Sequence, residues 1–351
     1  MIALSAYVRR GPECQTLVKM VCMYDQGGPE VLRWEERELP APGPGQIRLK
    51  LTASAVNFSD INNRYGRWGF SPRETWGMNP HERPFVLGLE AAGTIEEMGP
   101  DVSGFHLGQR ICFGAGGGRR AYAEAANIPV EAAIPIPDGV DERIAAASIM
   151  KGMAVRTFLK DAYRLNAGEV ILVHAAAGAM GHILCQWAKH LGATVIGTVG
   201  SEEKAAFALS HGCDHAFVYG HDDVLSRVKA ITDARGVSVV YDGVGQDLVR
   251  ESLGALGKRG MFLNYGQTSG PDFAISPKDM MYKSLYYHRP MMHDYIITPK
   301  HRADASRDFF DVLLRGVVKP AICQTYALRE AAQAHRDKEA RRSIGATLLI
   351  P

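Results

Sequence analysis

From about residue 148 onward, short apolar runs alternate with longer stretches whose apolar positions recur at helical spacing. Segments 171–178 (ILVHAAAG), 193–200 (ATVIGTVG), 216–220 (AFVYG), 237–245 (VSVVYDGVG) and 261–266 (MFLNYG) read as strands. Between them, 180–192, 201–212, 223–236 and 246–260 read as helices. Such alternation with short connections predicts right-handed βαβ units and a parallel sheet. The first 145 or so residues differ, with short β-branched or apolar runs punctuated by Gly and Pro. QIRLKLTASAVNF at 46–58 is strand-like, and PAPGPG before it excludes helix, because proline fixes φ and lacks an N–H. GLEAAGTIEEMG and GQRICFGAG, from residues 88 and 108, predict two more strands. Residues 66–84 read as a long irregular loop carrying Trp68, Phe70 and Trp76, suited to a lid or to an ordinary surface excursion. Residues 303–318 form one amphipathic helix, and 345–351 a terminal strand expected to return to the first domain. The expected division is a β-rich unit of residues 1–147 and 291–351 and a parallel-sheet unit of residues 148–290.

Composition narrows the class. The 351 residues are 46% hydrophobic and 22% charged, enough for an ordinary globular core and about two domains. Net charge is +2 with no basic block, so nucleic acid is not expected as a partner. The apolar runs fall short of the ~20 residues a membrane span needs. Residues 1–20 lack the apolar core of a secretory signal, and Met20 or Met23 could be the start; a soluble cytoplasmic protein is expected. Six scattered cysteines without C-x-x-C predict neither a disulfide framework nor a four-cysteine zinc site. His211, Cys213, Asp214 and His215 are ligand types within five residues. Lying between an alanine-rich helix and an apolar run, they predict a helix end capped by Gly212 rather than a metal site.

The candidate chemistry starts at HAAAGAMGHI, residues 174–183. Of the dinucleotide fingerprint G-x-G-x-x-G it keeps the second and third glycines, Gly178 and Gly181, with Ala176 at the first position. Those are the places where a side chain would meet pyrophosphate or crowd helix on strand, and the strand–turn–helix context is present. An NAD enzyme carries Asp or Glu at the tip of the second strand. Here that strand ends at Val199, followed by Gly200, Ser201 and, in the next helix, Lys204. A hydroxyl and an ammonium in place of a carboxylate predict a 2′-phosphate, hence NADP.

The segments VNFSD, GLEAAG, KGM, HAAAGAMG, GTVGSEEK, VVYDGVG and SIGATLLIP together carry a resemblance. The chain resembles the zinc-independent quinone oxidoreductases of the medium-chain dehydrogenase/reductase superfamily, near the branch containing 2-haloacrylate reductase. The resemblance covers the chain from about residue 20. It implies a GroES-like β-rich catalytic domain joined to a Rossmann domain with a doubly wound parallel sheet. Where zinc-dependent relatives have a cysteine and a histidine ligand, this chain has 57–60 (NFSD) and 88–90 (GLE). The resemblance therefore implies no metal. Conjugated acceptors such as quinones and enones need less help from a Lewis acid, because they spread the charge arriving with hydride. By position, it implies Asn57 beside the nicotinamide ribose and Gly178, Ala179, Met180 and Gly181 at the pyrophosphate. On the same resemblance, Ser201, Lys204, Tyr219 and Arg341 would surround the 2′-phosphate, and Gly266, Gln267 and Thr268 would line the nicotinamide side. Arg64 matches an arginine near the substrate cleft, and relatives are commonly dimers. Two departures lie at the substrate entrance: Asn62 where many relatives have an aromatic residue, and the long 66–84 loop.

The resulting expectation is an NADPH-dependent, metal-free reductase of quinones or other α,β-unsaturated carbonyl compounds, with Asn57, Arg64 and Tyr65 as candidate catalytic residues. The proton would come from Tyr65, Tyr122 or solvent. One alternative is a dedicated C=C reductase acting on a small acid, for which Arg64, Arg67 and Arg73 would supply charge. The other is a non-catalytic NADPH-binding structural or sensing protein.

Overall fold

The computed structural model describes residues 16–67, 84–114, 120–270 and 273–351. Its wholly parallel sheet has six strands, from one edge to the other His215–Val218, Thr194–Val199, Val170–His174, Val237–Asp242, Leu256–Asn264 and Tyr286–His288. Numbered by sequence this order is 3-2-1-4-5-6, that of a Rossmann sheet. Strand order reverses between Val170–His174 and Val237–Asp242, and the crevice beyond their carboxyl ends is where such sheets take ligands.

A second sheet runs Ile322–Ala327, Ala346–Ile350, Gln46–Ala55, Glu90–Met98, Arg110–Gly114, Ile134–Pro135, and Ala125–Pro129 also pairs with Gln46–Ala55. The C-terminal strand thus returns to the first part of the chain, Leu348 opposite Ala55. A small sheet sets Thr16–Met23 between Leu32–Leu39 and Phe85–Val86, so Met20 and Met23 lie inside a fully paired strand.

The two larger sheets share a core. The helix Glu142–Thr157, capped by Asp141, buries Ala145, Ala146, Ile149, Met153 and Val155. The expected division between residues 147 and 148 falls inside this helix. Residues of both sheets, Ala53, Ala92 and Cys112 from one and Ile171, Val173 and Tyr241 from the other, belong with it to one apolar cluster. A helix apolar nearly all round must be covered on several sides, and here both sheets cover it.

Two elements differ from the sequence reading. The helix expected over 246–260 is confined to Val249–Ala255, and the strand begins at Leu256. Gly254, Gly257 and Gly260 weaken a helix there, and a Cβ on Gly257 would come within 2.4 Å of the Arg235 carbonyl oxygen. The helix expected from 303 starts earlier, at Pro299, because Thr298 accepts from the His301 N–H and proline suits the first turn. Gly316, at φ +67°, lies just beyond its end at Leu314. Trp68, Phe70, Arg73 and Trp76 lie outside the described residues. Among those described, no helix is long and apolar enough to cross a membrane.

Candidate active site

The turn after Val170–His174 is built by its backbone. Ala175 takes φ +53°, a conformation that costs a non-glycine residue roughly 1–2 kcal/mol. Its N–H is held by Tyr219 Oη at 3.0 Å. The Ala175 carbonyl accepts from the Gly178 N–H at 2.8 Å, and a Cβ on Gly181 would stand 2.3 Å from that carbonyl oxygen. Glycine is therefore compulsory at 181. A Cβ on Gly178 would meet only the Ala175 oxygen, at 3.1 Å, leaving its outer side open to a close-approaching ligand. Among the described residues no hydrogen bond engages the N–H groups of Ala179 and Met180, and the helix Gly181–His190 begins behind them. Donors at a helix N-terminus suit a pyrophosphate.

Beneath the turn lies a buried polar chain that the sequence reading missed. His174 bonds Thr198 Oγ1 through Nδ1 at 2.7 Å and Ser252 Oγ through Nε2 at 3.0 Å, and Thr198 Oγ1 lies 2.7 Å from Tyr219 Oη. Burial lowers the His174 pKa to about 3, so the ring is neutral. The Tyr219 hydroxyl is thus committed to the turn's backbone and to Thr198. The signal in the sequence was a histidine ending an apolar strand, which nothing local explains.

At the tip of Thr194–Val199, Ser201 caps the helix Glu202–Ser210 and accepts from the Lys204 N–H at 3.3 Å. Lys204 Nζ donates to the Arg341 carbonyl at 2.5 Å, joining residues 137 positions apart. Burial lowers the Lys204 pKa; Glu203 opposes this and Arg341 adds to it. The Arg341 side chain is exposed and 3.9 Å from Asp247. Gly345 then bridges to Gly178, its N–H donating to Ala177 O at 2.9 Å. Further on, Thr347 O accepts from the Val56 N–H at 3.0 Å. One C-terminal segment therefore touches the Lys204 corner, the turn and the residue before Asn57.

Across the crevice, Asp242 is buried and accepts from the N–H groups of Val244 and Gly245 and from Asn264 Nδ2. Burial pushes its carboxyl up to about 6 against those hydrogen bonds. The loop carrying Gly266, Gln267 and Thr268 lies on this turn, with the Thr268 N–H donating to Gly243 O at 3.3 Å. Arg289, not singled out by the sequence, donates to Gln267 Oε1 at 2.8 Å and also to Asn264 Oδ1. Gln267 and Arg289 open on a cavity of about 650 Å³ lined further by Phe273, Ile275, Met280 and Tyr287.

Asn57 caps the helix Phe58–Tyr65 and is buried. Its N–H donates to Asp60 Oδ2 at 2.9 Å and its Nδ2 donates to Glu90 Oε2 at 3.3 Å. A carboxylate only accepts, so the amide nitrogen must face Glu90 and the amide oxygen must face away from it. Glu90 is itself fixed by the Met150 N–H at 2.7 Å and by the buried Lys151 ammonium. The motifs GLEAAG and KGM thus meet as one ion pair behind Asn57.

Arg64 departs from its expected place at the substrate. It is fully buried, with Nε donating to Gly27 O at 2.9 Å, one terminal nitrogen to His335 Nδ1 at 2.8 Å and the other to Glu339 Oε1 at 2.9 Å. A guanidinium with all its nitrogens engaged fastens two helices and has no face left for substrate. Tyr122 is also buried, its hydroxyl 3.0 Å from His335 Nε2. Tyr65 is half-buried, with the Arg64 and Arg67 guanidinium carbons 4.4 and 4.0 Å from its ring centre. Asn62 is buried on the same helix.

The 211–215 cluster disperses. His211 stacks on Phe207, Cys213 Sγ lies 3.5 Å from Cys185 Sγ, and Asp214 pairs with Lys189. Gly212, at φ +98°, fits the expected turn at the helix end.

The family model described as "Alcohol dehydrogenase GroES-like domain" matches residues 43–138, and that described as "Zinc-binding dehydrogenase" matches 179–298. The chain is 38% identical to a 2-haloacrylate reductase from a Burkholderia species, over 95% of this chain and 99% of that protein. It is equally 38% identical to a quinone oxidoreductase of Pseudomonas aeruginosa, over 95% of this chain and 100% of the relative. The solved structure of Escherichia coli quinone oxidoreductase complexed with NADPH superposes with a TM-score of 0.88 at 35% identity, covering 95% of this chain and all of that one.

Proposed function

The chain belongs to the quinone oxidoreductase family of the medium-chain dehydrogenase/reductase superfamily, and on that premise we propose an NADPH-dependent oxidoreductase reducing quinones or other α,β-unsaturated carbonyl compounds. The observation carrying this reading is the corner where Ser201, Lys204 and Arg341 converge on a strand tip that ends in Val199 instead of an acid. With the side-chain-free approach at Gly178 and the enforced Gly181, it fits a dinucleotide bearing a 2′-phosphate.

When bound, that cofactor supplies hydride, and the protein's task is alignment. The N–H groups of Ala179 and Met180, at the helix that begins with Gly181, hold the pyrophosphate; Ser201, Lys204 and Arg341 hold the 2′-phosphate. Tyr219 acts from beneath, keeping Ala175 in its strained conformation. The Asn57 amide oxygen, turned from Glu90, accepts from a ribose hydroxyl. Gly266, Gln267 and Thr268, steadied by Arg289, wall the nicotinamide side. Asn57 and Leu89 supply neither thiolate nor imidazole where zinc-dependent relatives bind metal, so the acceptor's conjugation carries the arriving charge. With Arg64 and Tyr122 committed inside the fold, Tyr65 and solvent are the remaining proton sources.

A small-acid substrate, suggested by the 2-haloacrylate reductase relative, loses one of its expected cations because the Arg64 guanidinium is fully engaged. Steady-state rates with NADPH and 1,4-benzoquinone, an enone or an acrylate test the reading. Turnover of quinone or enone supports it, turnover of acrylate alone favours the acid reductase, and tight NADPH binding with no turnover favours a sensing role.

A homodimer fits the open sheet edge at Tyr286–His288, where Tyr286 and neighbouring Met281 and Tyr282 are exposed. The expected domain division assigns residues 148–290 to cofactor binding and the remainder to substrate. A cytoplasmic location fits the same reading.

A further inference from the structure

We infer that His182 is a positioning residue of this enzyme, its ring aiming the Ala179 N–H at the pyrophosphate and tying that donor to the C-terminal segment. The inference rests on the reading that the turn of residues 175–181 holds the pyrophosphate.

His182 stands in the first turn of the helix Gly181–His190 and is fully buried. Both ring nitrogens are engaged, and their partners leave one tautomer. A carbonyl only accepts, so Nδ1 carries the proton and donates it to Gly178 O at 2.8 Å. A backbone N–H only donates, so Nε2 accepts from Ala321 at 3.0 Å. Burial lowers the His182 pKa to about 4, and a neutral ring with one proton is what the two contacts require.

The Gly178 carbonyl and the Ala179 N–H are opposite ends of one planar trans peptide, so a bond that fixes the first directs the second. The preceding peptide is satisfied within the protein: Ala177 O accepts from the Gly345 N–H at 2.9 Å, and the Gly178 N–H donates to Ala175 O at 2.8 Å. Among the described residues, the next peptide is engaged at its carbonyl alone, by the His182 N–H at 3.1 Å and by the ring. That leaves the Ala179 N–H for a ligand. Hydrogen bonds in a chain polarise one another, so the ring also strengthens that donor. Beyond Nε2 the chain continues, with Ala321 O accepting from the Ala346 N–H at 2.8 Å, next to Gly345. His182 thus closes a loop of bonds that leaves the turn, passes residues 321 and 345–346, and returns to it. Gln186, one helical turn on, backs this docking, donating to Lys319 O at 3.3 Å and accepting from the Lys319 N–H at 2.9 Å.

The test compares wild type with His182→Leu, His182→Asn and His182→Gln. Kd is measured for NADPH and for adenosine 2′-phosphate, which lacks a pyrophosphate, together with melting temperature and with kcat and KM for NADPH at saturating 1,4-benzoquinone. The Asn amide reaches the place of Nδ1 and can donate to Gly178 O; the Gln amide reaches that of Nε2 and can accept from Ala321. His182→Leu should weaken NADPH binding about fivefold, within the range of one hydrogen bond. It should raise KM for NADPH more than it lowers kcat and leave adenosine 2′-phosphate within twofold. Asn should recover NADPH affinity, and Gln only the melting temperature. The inference is overturned if Asn binds NADPH no better than Gln, or if His182→Leu weakens both ligands alike. Should His182→Leu fail to fold, the order of Asn and Gln decides. If wild type binds NADPH no more tightly than adenosine 2′-phosphate, the pyrophosphate reading itself is wrong. If it binds NADPH far more tightly and His182→Leu does so equally, that reading stands and the positioning role fails.

Discussion

Residues 175–181 form the turn proposed for the pyrophosphate largely from their own backbone, with Ala175 O receiving Gly178 N–H and excluding any side chain at 181. The Asn57 corner is assembled instead from side chains of three separate stretches, contributing Asn57 with Asp60, Glu90, and Lys151. The contrast concerns where precision comes from. A turn that positions donors through backbone geometry tolerates changes in every side chain of its own except where a Cβ collides. A corner that positions one amide through side chains is exposed to change at each of them, including residues far from ligand.

Breaking the turn should have the largest effect. Gly181→Val forces a side chain into the Ala175 carbonyl and should cost more than about a hundredfold in NADPH affinity, ~2.7 kcal/mol. A variant that binds NADPH normally by fluorescence titration would show that the turn is more pliable than its geometry. Asn57→Ala probes the other corner and should lower kcat/KM about thirtyfold, ~2 kcal/mol, with the melting temperature less affected. The Lys204 corner lies between these extremes, using one charged side chain held to a backbone carbonyl. Lys204→Ala should weaken NADPH about tenfold, ~1.5 kcal/mol, and leave NADH unchanged. Wild-type protein that binds NADH as well as NADPH would refute the 2′-phosphate assignment.

The last effect is one of stability, spread over pH, and both regions contribute to it. The pKa values of His174 beneath the turn and of His335 beside Arg64 are lowered to about 3, and that of His182, whose Nε2 accepts the Ala321 N–H, to about 4, all chiefly by burial. The ordinary value is 6.5, so below it the unfolded chain binds more protons than the folded one. Their stabilising contribution is complete above pH 6.5 and falls as pH drops from 6.5 toward about 4 for His182 and about 3 for His174 and His335. Each histidine removes up to about 1.4 kcal/mol per pH unit. Thermal melts from pH 7.5 to 4.5 should show a steady decline, shallower in His174→Leu if that ring titrates only on unfolding. A flat profile would mean the histidines protonate in place.

The difference between the regions also governs how much could be read in advance. The parallel sheet was legible because alternating apolar runs and helical periods are local, and the segments read as strands from ILVHAAAG to MFLNYG each hold a strand. The premature end of the helix at Ala255 was less so, since the crowding at Gly257 comes from Arg235, a residue of another connection. Arg64 shows the same limit. Its charge near a cleft suggested a substrate contact, and only the packing of Ala331–Glu339 against its own helix reveals the guanidinium bonded to His335 and Glu339.

By itself the sequence determined the βαβ series, the glycines that spare room for a dinucleotide, and the absence of an acid at the Val199 tip, since each depends on neighbours along the chain. Only the tertiary structure decided that Lys204 meets Arg341 across 137 positions, that the Asn57 amide faces Glu90, and that His335 stands between Arg64 and Tyr122. The physical reason is directional: a hydrogen bond between distant segments exists only once folding brings donor and acceptor within about 3 Å, and no periodicity records that in advance.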